Sequence, residues 1–160
     1  MRGPDHSPSA NAVSTGPGLD WLAHGAILFD LDGVITPTAI IHEQAWAELF
    51  ADHDYRPEDY LAHIDGKPRY DGVASFLASR GIELPFGGPG DPPDAETVCG
   101  LGNRKNTLFN QSLDRARLDP YPGSVAVLDR LDRHQVPQAI VSSSRNARRV
   151  LEAAGMGQRF

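Results

Sequence analysis

Cysteine is nearly absent from this 160-residue chain: Cys99 stands alone. No disulfide can close within the chain, and no Cys/His cluster has the spacing of a zinc site. Cys99 reads as a small, part-buried side chain. Long apolar runs are also missing, none approaching the ~20 residues that a membrane helix needs. The opening stretch, MRGPDHSPSANAVSTGPGLD, holds no apolar segment of the signal-peptide kind. A cytoplasmic protein without a membrane partner is the expectation. An excess of basic residues is lacking too, with 15 Lys and Arg against 21 Asp and Glu and a net charge of −6. That balance disfavours a nucleic-acid partner, and no basic stripe offsets it. A phosphorylated small molecule stays compatible, because a local pocket can be cationic on an acidic protein. Internal repeats and charge blocks are absent.

What is present is the composition of a globular domain, 40% hydrophobic and 22% charged, with 16 Gly and 13 Pro. Residues 1–22 are rich in Pro, Gly, Ser and Asn and are expected to form a disordered lead-in. Gly25-Ala26-Ile27-Leu28-Phe29 is a short apolar run ending in the acidic turn Asp30-Leu31-Asp32-Gly33, as suits a strand buried in a parallel sheet. Gln138-Ala139-Ile140-Val141, ending in Ser142-Ser143-Ser144, is a second such strand. Helical periodicity precedes it, with Val125, Leu128 and Leu131 at three-residue steps. It also follows it, with Val150, Leu151 and Ala154 on one face of a helix from Asn146 to Ala154. This is the rhythm of an α/β domain.

More than a hundred residues separate the two strands, too many for one crossover helix. Their patterning is helical over Ile40–Ala51, Tyr70–Ser79 and Thr97 to about Arg117, while Gly81–Pro93 has a loop composition. A helical insert over 37–118 is therefore expected between core pieces 23–36 and 119–160.

Asp30 and Asp32 lie two apart after an apolar strand, so both carboxylates can face one site at the strand's C-terminal end. One could attack a phosphorus atom and carry an aspartyl-phosphate, and the other could give and take a proton. Both offer hard oxygen ligands to Mg²⁺. An Asp-x-Asp-Gly turn with two solvated carboxylates fits the same residues. Similarly, Ser142 and the residues after it can cradle a phosphate, or can serve only as a helix N-cap.

The string Phe29-Asp30-Leu31-Asp32-Gly33-Val34-Ile35-Thr36 resembles the first motif of the haloacid dehalogenase (HAD) superfamily. FDLDGVITPTAIIHEQAWAELF, residues 29–50, resembles its β-phosphoglucomutase branch, a parallel α/β core with an inserted helical cap. The resemblance implies Asp30 as nucleophile and Asp32 as general acid/base, with both contributing to an Mg²⁺ site, Asp32 through its backbone carbonyl. It puts His42 and Trp46 near the hinge and the sugar-facing entrance, although Trp46 reads more simply as core packing. Asp65-Gly66-Lys67-Pro68-Arg69 is similar to the loop that screens the substrate, with Arg69 gripping a distal phosphate. Asn103-Arg104-Lys105-Asn106 is similar to a cap-helix signature in which Lys105 and Asn106 face the sugar. Ser142-Ser143-Ser144-Arg145-Asn146 is similar to the second motif, Ser142 binding the transferring phosphoryl group and Ser144, Arg145 and Asn146 reaching a second phosphate.

The implied activity is Mg²⁺-dependent phosphoryl transfer on sugar phosphates, interconverting glucose 1-phosphate and glucose 6-phosphate. A sugar-phosphate phosphatase and a non-catalytic fragment are the alternatives. Two departures stand out. Thr36-Pro37-Thr38 occupies a place where the family often has Thr-Asp-Thr, which questions a hydrogen-bonding role there. The family's later lysine and acidic pair are not in the sequence. The chain is therefore expected to be inactive by itself, needing a further segment or a complementing chain.

Overall fold

The computed structural model describes residues 24–160; the expected lead-in over 1–22 lies outside the described residues. Two strands, β1 (Ile27–Asp30) and β2 (Gln138–Val141), pair in parallel with Ile27 opposite Gln138 and Asp30 opposite Val141. Between them run α1 (Thr38–Leu49), a 3₁₀ turn (Ala51–His53), α2 (Pro57–Asp59), a π turn (Tyr60–Ile64), α3 (Arg69–Ser79), α4 (Val98–Arg115) and α5 (Pro122–Arg133). A last helix, α6 (Ala147–Ala153), follows β2. The chain is α/β with a parallel sheet, as its patterning predicts. The register sets the ends of the two strands side by side.

Each helix forms where its apolar spacing provides a face. Ile41, Ala45 and Leu49 of α1 are buried, as are Leu101, Phe109 and Leu113 of α4 and Leu128 and Leu131 of α5. Tyr121 N donates to Ile35 O at 2.9 Å, bringing the chain back beside the first turn, and Pro122 opens α5 at a position that needs no N–H donor. The buried side chains form two clusters. One joins Leu31, Ile35, Leu118, Leu128 and Val150 to Ile41, Ala45, Phe109 and Leu113. The other packs Trp46, Phe50, Ile64, Val73, Phe76 and Leu77 within the insert, and Leu108 touches both. Helices α1 and α4 thus contribute to both clusters and join the insert's packing to the sheet.

The loop composition of Gly81–Pro93 yields an irregular but tied segment. Asp91 Oδ2 accepts from Thr97 Oγ1 at 2.6 Å and Gly88 N at 3.1 Å, and Asn103 Nδ2 donates to Asp91 O at 2.9 Å. The opposite face of the sheet is open, with Leu28 66% and Val141 58% exposed. Among the described residues no helix is long and apolar enough to cross a membrane.

Candidate active site

The strand ends open into a cavity of about 610 Å³ roofed by the insert. Asp30 and Asp32 enter it from the turn after β1. Leu31 O accepts from Ile35 N at 3.0 Å and Thr36 N at 3.1 Å, and Gly33 N donates to Thr36 O at 2.7 Å. Gly33 sits at φ +79°, where a side chain would be strained. The turn therefore folds back under the carboxylates. Ser142, Ser143, Ser144, Arg145 and Asn146 line the cavity from the loop after β2, and His42 lines it from α1. Arg69, Lys105 and Asn106 line it from α3 and α4. Every candidate residue read from the sequence faces this one space.

The electrostatics follow from burial. Asp32 is raised above the usual carboxylate range, chiefly because burial disfavours its charge; the Thr38 hydrogen bond opposes this, Asp30 adds to it, and Lys105 and Ser142 lower it. Thr38 Oγ1 donates to Asp32 Oδ1, and the Thr36 and Thr38 hydroxyls lie 2.9 Å apart, both fully buried. The outer two residues of Thr36-Pro37-Thr38 thus hydrogen-bond within the turn, while Pro37 has no side-chain donor or acceptor. Lys105 Nζ is 2.6 Å from His42 Nδ1 and 5.0 Å from the ring centres of Trp46 and Phe109, and Lys105 is only 4% exposed. Burial pulls its pKa down to about 7, with Asp32 opposing and Arg69 adding to the fall. His42 stacks on Phe109 at 4.1 Å and is lowered to about 3, first by burial and then by Lys105. An ammonium donating to Nδ1 leaves the Nε2 proton toward Asp32, 3.6 Å away.

The second strand's loop spends part of its hydrogen bonding on itself. Ser144 N donates to Ser142 Oγ at 3.0 Å and Asn146 N to Ser144 Oγ at 3.2 Å. Asn146 Nδ2 donates to Asn106 Oδ1 at 2.7 Å, a direct link between this loop and α4. Trp46 is 3% exposed and packs in the insert's core while bordering the cavity. Sequence reasoning missed Tyr60 and Asp65, which also line the cavity. Asp65 lay within a recognised loop, but no periodicity marks the π turn that brings Tyr60 beside it.

The pattern of the haloacid dehalogenase-like hydrolase family matches residues 24–160, and the chain belongs to that family. It is 43% identical over 145 residues to a β-phosphoglucomutase of Mycobacterium tuberculosis, an alignment covering 82% of this chain and 55% of that protein. It is 35% identical over 164 residues to an uncharacterized glycosyl hydrolase of the same species, covering 94% of this chain and 12% of that one. The crystal structure of β-phosphoglucomutase from Clostridium difficile superposes with a TM-score of 0.72 at 25% identity, covering 85% of this chain and 59% of that one. The chain spans about half the length of the β-phosphoglucomutases it matches.

Proposed function

We propose that this chain carries the phosphoryl-transfer site of a β-phosphoglucomutase-like enzyme acting on sugar phosphates. The observation behind the reading is the convergence of Asp30 and Asp32 from one strand end with Ser142 from the other, beneath Lys105 and Arg69. The name and 43% identity of the mycobacterial relative support the mutase class.

In this reading an Asp30 oxygen attacks phosphorus and forms an acyl phosphate as the ester P–O bond breaks. Asp32, whose raised pKa favours the protonated form, gives its proton to the departing sugar oxygen. The reverse step delivers the phosphoryl group to another sugar hydroxyl, while Asp32 takes that hydroxyl's proton. The Ser142 hydroxyl donates to a phosphoryl oxygen, and Thr38 holds the Asp32 carboxyl in place. Arg69 and Arg145, entering the cavity from α3 and from the loop after β2, suit a second phosphate and favour a mutase over a phosphatase.

The donor set fits Mg²⁺, since the Asp30 carboxylate and the Asp32 backbone carbonyl are hard oxygens. Among the described residues no three His, Cys, Asp or Glu side chains gather as a metal cage. Substrate phosphate, water and ligands from a further segment or complementing chain would complete the coordination. Mg²⁺ there supplies neutralisation of the developing phosphoryl charge. The exposed face at Leu28 and Val141 further supports a partner segment, from the same protein or another chain, that covers this side of the sheet. A cytoplasmic setting is part of the proposal.

The test is ³¹P NMR of the full-length protein with β-glucose 1-phosphate and Mg²⁺. Conversion to glucose 6-phosphate that disappears in Asp30→Asn supports the mutase. Inorganic phosphate as sole product makes it a phosphatase, and no Asp30-dependent product refutes the reading.

A further inference from the structure

Arg69 enters the cavity from the first residue of α3. Among the described residues no carboxylate lies within ion-pair distance of it. What does meet its guanidinium is an aromatic ring: the guanidinium carbon is 5.3 Å from the ring centre of Tyr70. Consecutive residues of a helix point about 100° apart around its axis and do not ordinarily face each other. Something outside α3 must therefore set the ring.

Helix α4 does so twice. Gly102 leaves bare backbone where the ring lies, for a Cβ there would be 2.6 Å from Tyr70 Cδ1, 2.9 Å from Cε1 and 3.5 Å from Arg69 Cγ. Glycine inside a helix costs stability relative to alanine. Here it lets both the ring and the arginine stem lie on the helix backbone. Asn103 then fixes the far end of the ring. Its Nδ2 donates to Pro89 O at 3.1 Å and to Asp91 O at 2.9 Å, which uses both amide hydrogens. Its Oδ1 is left to accept from Tyr70 Oη at 3.0 Å. The phenol's one hydrogen is spent there, and none remains for a ligand. Tyr70 is thus tied to α4 and, through Asn103, to the loop over Gly81–Pro93.

We propose that Tyr70 is a positioning residue whose ring, seated on Gly102 and pinned by Asn103, holds the Arg69 guanidinium ready for the phosphate that is not transferred. The inference rests on the sugar-phosphate reading of the cavity and deepens it. A free arginine loses rotamer freedom when it grips an anion, and that cost weakens binding. One already stacked on a ring has lost that freedom beforehand, and the planar guanidinium suits such stacking. A grip on a non-reacting phosphate is the same before and during transfer, so it shows in KM rather than in kcat.

Steady-state kinetics of the full-length protein on β-glucose 1-phosphate with Mg²⁺ test this. Tyr70→Leu removes the ring and Gly102→Ala fills its seat. Each should raise KM at least about fivefold while kcat stays within about threefold, and Gly102→Ala carries the test if Tyr70→Leu does not fold. Tyr70→Phe keeps the ring and should hold KM within about twofold of the unmodified protein. In Arg69→Ala, where KM is already raised, neither substitution should raise it further, because Tyr70 acts through Arg69 alone. If the unmodified protein turns over no sugar phosphate, the sugar-phosphate reading falls and this inference with it. With turnover present, several results overturn the assignment of Tyr70 alone. These are an unchanged KM in either folded variant, a loss confined to kcat, an equal rise with and without Arg69, a silent Arg69→Ala, or a Tyr70→Phe that behaves as Tyr70→Leu.

Discussion

Lys105 Nζ lies 2.6 Å from Nδ1 of His42, whose Nε2 lies 3.6 Å from Oδ1 of Asp32. A lysine from α4 thereby contacts one imidazole from α1 that sits beside Asp32. All three side chains are largely withdrawn from water, so their protonation is linked to folding.

The sign of that linkage is testable. Folded Lys105 titrates near pH 7, whereas the unfolded chain keeps the proton up to the ordinary lysine range. Between those values the unfolded chain binds more protons, so stability rises with pH. Urea unfolding at pH 7 and pH 9 should show the native protein gaining roughly 1–3 kcal/mol relative to Lys105→Met. An equal pH response in the two proteins would place Lys105 in water rather than beneath the insert.

Thr38 controls Asp32 in the opposite direction to burial. Its hydroxyl stabilises the ionised carboxylate, and the Thr38→Val variant removes that bond while keeping the side chain's shape. The Asp32 titration, followed by ¹³C NMR of the carboxyl, should move upward. A downward or absent shift would mean that the hydroxyl does not serve this carboxylate.

Gly100 inverts an ordinary expectation. A glycine replaced by alanine inside a helix gains up to about 1 kcal/mol. Here an added Cβ would lie 2.3 Å from the backbone oxygen of Ala95, in the turn between the tied loop and α4. Gly100→Ala should instead destabilise the protein by roughly 1–3 kcal/mol, read from its urea midpoint. A stabilised variant would show that the loop is free to move away from α4.

Most of the scaffold was legible in the sequence because its helices and strands have clear apolar periods. Ile41, Ala45 and Leu49 fall on one face, and the strand ends follow from the turns at Asp30 and Ser142. The segment between α1 and α3 was not legible. Its 3₁₀ turn, α2 and π turn are three to five residues long, too short for a period, and depend on tertiary links such as Arg80 to Asp59. The eleven candidate site residues were found through local motifs, and the fold brings them to one cavity. Tyr60 was invisible for a different reason: its place in that cavity depends on the π turn. The His42–Lys105 contact joins residues 63 positions apart, which no local pattern encodes.

The central claim is that Asp30, rather than Asp32, accepts the phosphoryl group. Incubation of the full-length protein with acetyl phosphate and Mg²⁺, followed by borohydride, reduces an aspartyl-phosphate to homoserine at the residue that carried it. Sequencing of the peptide containing both residues should find homoserine at position 30 and intact aspartate at position 32. Homoserine at position 32, or none at either position, would contradict the account.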